Sequence, residues 1–164
     1  MVRVLFVCMG NICRSPISQG VFEEFVRREG LDGEVEADSA GTHGFYHAGY
    51  PPDPRAQRSA LGRGIDISAQ RARLLDKRDC ERFDYVLTMD EENHERVAAL
   101  CRGSAASAVV RPFLDFAPDR PEREVPDPYG GGPEGFELVM DLAEAASEGL
   151  LDDIRNRHLG PRRG

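Results

Sequence analysis

No apolar run in this 164-residue chain approaches the roughly 18 residues that a membrane-spanning helix needs. That excludes a membrane helix, and no membrane partner is expected. The N-terminus has no apolar stretch followed by a small-residue cleavage site, because Met1 leads straight into a strand-like run. Both absences point to a soluble, cytoplasmic protein. Positive charge is in short supply as well. Lys and Arg number 21 against 29 Asp and Glu, a net charge of -8, which argues against a nucleic-acid partner. An acidic chain that binds an anion must place its positive potential in a compact pocket. Cysteine is sparse: Cys8, Cys13, Cys80 and Cys101 are scattered and include no CxxC pair. A structural zinc site is therefore not expected, nor is the disulfide framework of a small secreted domain. His43, His47, His94 and His158 show no metal-ligand spacing and read as surface residues. No internal repeat or dividing linker is visible.

What is present is enough for one core. At 40% hydrophobic residues the composition is globular, and the length suits a single domain. We assign residues 1–160 to that domain and 161–164 to a tail. Arg3 to Val7 reads as a buried parallel strand. A loop with Gly10 and Asn11 follows. Ser15 reads as a helix N-cap with Pro16 after it; Ile17, Val21, Phe22 and Phe25 then recur at helical spacing up to Gly30. Further on, Val35 to Asp38, Tyr85 to Thr88 and Ala108 to Arg111 read as strands. Helices are expected from Asp53-Pro54 to Gly62 or Gly64, from Leu74 to Arg82, from Asp90 to Cys101, and from about Phe136 to Ile154, the last with an awkward Gly149. Residues 118–133 hold five prolines and read as a long exposed loop. Alternating strands and helices imply one α/β domain with a parallel sheet flanked by helices. In such sheets ligands bind beyond the carboxyl ends of the strands, which singles out the loop after the first strand.

That loop reads Cys8-Met9-Gly10-Asn11-Ile12-Cys13-Arg14-Ser15. A cysteine ends a strand, five residues intervene, and an arginine opens a helix. Successive amides in a tight loop form an anion-binding nest, and a helix N-terminus adds unpaired N–H groups and a positive dipole end. The same field favours a thiolate, the nucleophilic form of cysteine. A guanidinium fork holds two phosphoryl oxygens at once. Taken alone, Cys8 would be an ordinary core residue, and Asp127 an ordinary turn former before proline. Together with Arg14, Gly10, Asn11 and Ser15 they point to phosphoryl transfer. The loop lacks the Gly-Lys-Ser/Thr ending of nucleotide-binding P-loops.

The segment from Cys8 to Ser15, with Pro16, resembles the phosphate loop of the low molecular weight protein tyrosine phosphatases. Asp38-Ser39-Ala40-Gly41-Thr42, Asp53-Pro54-Arg55, Phe83-Asp84-Tyr85, Met89-Asp90 and Asp127-Pro128-Tyr129 resemble further segments of that family, in order along the chain. The resemblance implies a flavodoxin-like or Rossmann-like four-stranded sheet of order 2-1-3-4. It implies hydrolysis of phosphotyrosine without cofactor or metal, with Cys8 as nucleophile, Arg14 binding the phosphoryl oxygens, and Asp127 as general acid and then base. Met9, Gly10, Asn11, Ile12, Cys13 and Ser15 would complete the phosphate cradle, and Ser39 would support Asn11. Tyr129, with Phe45 or Tyr46, would line a slot deep enough to favour phosphotyrosine over phosphoserine. Ile12 stands where relatives resembling arginine phosphatases tend to carry Thr. Cys13 is either a packed residue or a reversible disulfide partner of Cys8, and Cys80 and Cys101 read as packed helix residues. The implied partner is a phosphotyrosine protein, such as a tyrosine kinase, and the assembly a monomer or weak homodimer.

The chain departs from that pattern in places. Tyr129 is followed by Gly130-Gly131-Gly132 where a second aromatic is common, and Gln70 stands near where some members carry a His that supports the phosphate loop. Two other functions fit parts of the pattern. A thiol-dependent arsenate reductase would need relay cysteines close together along the chain on a flexible segment, and Cys80 and Cys101 are not spaced that way in the sequence. A phosphocarrier module would need neither Arg14 nor Asp127.

Overall fold

The computed structural model describes residues 1–43, 46–104 and 108–160. A four-stranded parallel sheet has the order β2-β1-β3-β4, with β1 Val2–Cys8, β2 Val35–Gly41, β3 Tyr85–Thr88 and β4 Val109–Pro112. This is the order the family resemblance implied. The helices are α1 Arg14–Arg28, α2 Pro54–Leu61, α3 Asp79–Arg82, α4 Glu91–Cys101 and α5 Pro133–Ile154. A 3-10 turn, Phe113–Phe116, follows β4. Among the described residues no helix is long and apolar enough to cross a membrane.

Strand β1 is central and buried on both faces, which explains its unbroken apolar run. Its side chains alternate between two cores. Val4, Phe6 and Cys8 join α1, α2 and α5 in the larger one. Leu5 and Val7 pack with Val86 and with Val97 of α4 on the opposite face. Phe6 meets Phe22 of α1 and Phe113 edge-on, at centroid distances of 5.7 and 5.0 Å. Each large apolar side chain buried this way contributes about 1.5–3 kcal/mol. The alternation leaves Cys8 at the carboxyl end of β1, on the face covered by α1 and α5.

Gly149 is explained by packing. A Cβ there would lie 1.9 Å from the Phe116 carbonyl oxygen, so only glycine lets α5 approach the 3-10 turn. In contrast, the helix expected over Leu74 to Arg82 shrinks to α3. Leu74 instead bridges to Gly41 at the end of β2, and the Gly41 N–H donates to the Arg73 carbonyl at 2.9 Å. Nor are Cys80 and Cys101 separate packed residues: they form a disulfide that joins α3 to α4. The tail assigned to 161–164 lies outside the described residues.

Candidate active site

The loop between β1 and α1 turns its carbonyl groups outward. The Cys8 oxygen accepts from the Thr42 N–H at 2.9 Å, that of Met9 from the His43 N–H at 2.8 Å, and that of Ile12 from the Asp53 N–H at 2.8 Å. The amides are thereby left to face the concave side. Asn11 makes the turn possible by adopting a φ of 59°, a region Asn tolerates better than most residues. The Asn11 N–H donates to the Cys8 sulfur at 3.3 Å.

One hydrogen-bond chain fixes the orientation of Asn11 and Ser15 beside that sulfur. The Arg73 N–H donates to Asn11 Oδ1 at 3.0 Å, so the amide nitrogen must face the other way. Asn11 Nδ2 then donates to Ser15 Oγ at 2.8 Å and to Ser39 Oγ at 2.9 Å. Because Ser15 Oγ already accepts from Asn11, its single proton is free for the Cys8 sulfur 3.0 Å away. Ser15 is therefore not the N-cap its sequence position suggested. The N-cap residue is Cys13, α1 has no side-chain cap and no acidic residue in its first turn, and Ser15 is fully buried. An uncapped N-terminus leaves amide donors for an anion. By comparison, α4 is closed by a capping box between Asp90 and Asn93, and α2 by the Asp53 carboxylate.

Arg14 is 4% exposed. Its Nη1 donates to Asp90 Oδ2 at 2.7 Å and to the Val125 carbonyl at 3.0 Å. Both bonds leave from one nitrogen, so Nε and Nη2 stay available to a ligand's oxygens. Burial works against the charged guanidinium, but the Cys8 sulfur and Asp90 outweigh it and raise its pKa. The Asp90 carboxyl is held below the usual aspartate range, because bonds from Asn93 and Arg14 overcome the opposing effect of burial. Asp90 thus caps α4 with one oxygen and orients Arg14 with the other. Burial raises the pKa of the Cys13 thiol, and Asp53 and Cys8 add to the effect.

These groups surround a cavity of about 170 Å³, lined by Cys8, Met9, Gly10, Ile12, Cys13, Arg14, His47, Asp127 and Tyr129. That is smaller than the roughly 300–1,000 Å³ of drug-sized ligand sites, and it suits a phosphoryl group with one ring. The cavity thus brings together Cys8, Arg14 and Asp127, contributed by β1, α1 and the 118–133 loop. The Tyr129 backbone N–H donates to Asp127 Oδ1 at 3.1 Å, a local turn that orients the Asp127 carboxylate.

The aromatic expected opposite Tyr129 is placed differently. Tyr46 stands 69% exposed and does not line the cavity, and Phe45 lies outside the described residues. His47, read from sequence as a surface residue, lines the cavity instead, and its ring approaches Gly10. Gln70 donates to the Pro16 carbonyl at 3.1 Å, while the Asn11 side-chain Oδ1 accepts from the Arg73 N–H. Cys80 and Cys101 line a separate depression with Ala98 and Val110. Among the described residues no cluster of three or more His, Cys, Asp or Glu is arranged to hold a metal ion.

Residues 3–159 match the family model described as low molecular weight phosphotyrosine protein phosphatase. A low molecular weight protein-tyrosine-phosphatase of Bacillus subtilis, YfkJ, is 37% identical over 155 residues, covering 94% of this chain and 97% of that one. Its crystal structure superposes with a TM-score of 0.88, covering 96% and 97% of the two chains. A human low molecular weight phosphotyrosine protein phosphatase is 38% identical over 153 residues, covering 91% and 93%. A protein tyrosine phosphatase of Entamoeba histolytica, solved with Hepes in its active site, has a TM-score of 0.89 at 33% identity, covering 95% and 98%.

Proposed function

The chain belongs to the low molecular weight phosphotyrosine protein phosphatase family, and on that premise we propose that it hydrolyses phosphotyrosine through a phosphocysteine on Cys8. The observation that carries this reading is the sulfur's setting. The Asn11 amide and the Ser15 hydroxyl converge on it, at the uncapped end of α1, with the buried Arg14 in the same cavity.

The Cys8 thiolate attacks phosphorus. A sulfur–phosphorus bond forms as the bond to the phenolic oxygen breaks, and Asp127 gives that oxygen its proton. Arg14 and the loop amides hold the equatorial oxygens as their charge redistributes. Preorganised donors of this kind usually contribute more to the rate than any other single effect. The Asp127 carboxylate then takes a proton from water, whose oxygen displaces the sulfur and releases phosphate. The Ser15 hydroxyl stabilises the departing thiolate. Ile12 and Tyr129 line the cavity on the way to the sulfur, which favours a flat aromatic ester.

Cys13 is buried, and its burial keeps it a thiol. Peroxide would oxidise Cys8 to a sulfenic acid, and the Cys13 thiol would condense with it, releasing water and closing a disulfide that a thiol reductant reopens. A Cys13→Ser enzyme that regains activity after peroxide and thiol as fully as wild type would remove this role. A phosphotyrosine protein is the substrate, and we propose a tyrosine kinase among such proteins, a monomer or weak homodimer as the working form, residues 1–160 as the functional unit, and the cytoplasm as its compartment. In a reducing compartment Cys80 and Cys101 stand as thiols; their disulfide belongs to oxidising conditions.

The test is hydrolysis of para-nitrophenyl phosphate and a phosphotyrosyl peptide in excess EDTA. Wild type retains full activity, Cys8→Ser loses it, and Asp127→Asn falls by about 10²–10⁴ in rate. Full activity in Cys8→Ser would refute the mechanism.

A further inference from the structure

Tyr129 is the aromatic wall of the cavity, yet it is 55% exposed and followed by Gly130, Gly131 and Gly132. None of these three glycines offers a side chain to pack against its ring. The support comes from another element. The Arg55 guanidinium, in the first turn of α2, lies 5.3 Å from the Tyr129 ring centroid and 4.9 Å from that of Phe136 at the start of α5. Both distances are within cation–π range. Phe136 is fully buried, so the guanidinium spans a fixed ring and an exposed one.

Arg55 is itself held in place. Its Nη2 and Nε donate to Asp53 Oδ2 and Oδ1 at 2.9 and 3.1 Å, and its backbone N–H donates to Oδ1 at 2.8 Å. The Asp53 N–H is bonded to the Ile12 carbonyl of the phosphate loop. The chain of contacts thus runs from the phosphate loop through Asp53 and Arg55 to Tyr129. It ties the floor of the cavity to its aromatic wall.

We propose that Arg55 is a positioning residue that holds the Tyr129 wall against the substrate's ring, and so sets the preference for aryl phosphates. This rests on the phosphotyrosine reading above. Arg55 meets the substrate only through Tyr129. Its removal therefore acts on the step in which the aryl group is bound, and not on phosphocysteine hydrolysis, which follows departure of the phenol. The planar fork is what both ion pair and ring contacts use, so lysine replaces it poorly.

The experiment compares wild type, Arg55→Ala, Arg55→Lys, Tyr129→Ala and the Arg55→Ala/Tyr129→Ala double variant, each shown folded by circular dichroism. It measures KM and kcat/KM for a phosphotyrosyl peptide, the inhibition constant of inorganic phosphate, and the phosphocysteine hydrolysis rate after a burst. Arg55→Ala is expected to raise KM by about three- to tenfold, with inhibition by phosphate and phosphocysteine hydrolysis within about twofold of wild type. Arg55→Lys should lie nearer to Arg55→Ala than to wild type, and the double variant should be no worse than Tyr129→Ala. Additive losses in the double variant, or equal damage to phosphate binding, would overturn the proposal. If wild type itself leaves the peptide untouched, the phosphotyrosine reading fails instead. Should Arg55→Ala not fold, Arg55→Lys against Tyr129→Ala decides by the same criteria.

Discussion

On one side of the cavity, residues 8–15 have three of their carbonyls bonded outward, and the Asn11 side chain satisfied at both ends. On the other side, the loop carrying Asp127 is tied down at Val125, by the Met89 carbonyl and Arg14 Nη1. Beyond that point Asp127 and Tyr129 are exposed. The difference follows the chemistry. In the proposed reaction the phosphoryl group has the same shape in every substrate, which suits a cradle that is built once and locked. In that reaction the leaving phenol comes on proteins of different shape, and Tyr129, the wall proposed to meet it, is exposed and braced by the Arg55 guanidinium 5.3 Å from its ring.

Breaking the locked side should cost most. Asn11→Ala removes the donors to Ser15 and Ser39 and places alanine at a positive φ. We expect kcat/KM to fall by about 10²–10³, the range for losing one preorganised anion-stabilising donor, measured on para-nitrophenyl phosphate. A loss under threefold would mean the loop holds its shape without Asn11. Tyr129→Ala on the braced side should lose about tenfold on a phosphotyrosyl peptide, with phosphate inhibition unchanged. Comparable losses from the two variants would erase the contrast.

Stability should follow a different map. The Cys80–Cys101 disulfide closes a loop of 21 residues on the face of the sheet away from α1. Reducing it, or making Cys80→Ser, should lower unfolding free energy by about 3 kcal/mol in urea titrations while kcat stays within about twofold. A large loss of activity would place the disulfide inside the catalytic network. Gly149→Ala should destabilise by about 1–3 kcal/mol despite alanine's better helix propensity, because its Cβ meets the Phe116 carbonyl.

The smallest effect is one of pH. Asp90 has its folded pKa held below the ordinary aspartate range. Its contribution is therefore complete above the unfolded value of about 3.9 and is lost as pH falls through the lower folded value. The stability gap between wild type and Asp90→Asn should be constant near neutrality and close below about pH 4, as read by thermal melts across pH. A gap that widens on acidification would reverse the sign.

Much of the fold was legible because local signals agreed with tertiary demands. Tyr85–Thr88 reads as a strand and is one. Gly30, at a φ of 69°, ends α1 where expected. Legibility failed where long-range partners overrode local preference. Ser15 has cap chemistry, but Asn11 and Cys8 claim its hydroxyl. Leu74 and Leu75 look helical, but Gly41 at the end of β2 claims their backbone. Cys80 and Cys101 meet only because α3 and α4 are neighbours in space. The Cys8 loop was plain as a motif, since its spacing is itself the chemistry. His47, Asp90 as the partner of Arg14, and Arg55 as a brace are contacts between elements distant in sequence, and no spacing encodes them.

The most direct measurement of the mechanism is the site of phosphorylation during turnover. Asp127→Asn enzyme mixed with a phosphotyrosyl peptide, quenched in acid within the burst and mapped by mass spectrometry, should carry one phosphoryl group on Cys8. A phosphoryl group on any other residue, or none at any time through the burst, would contradict nucleophilic attack by that sulfur.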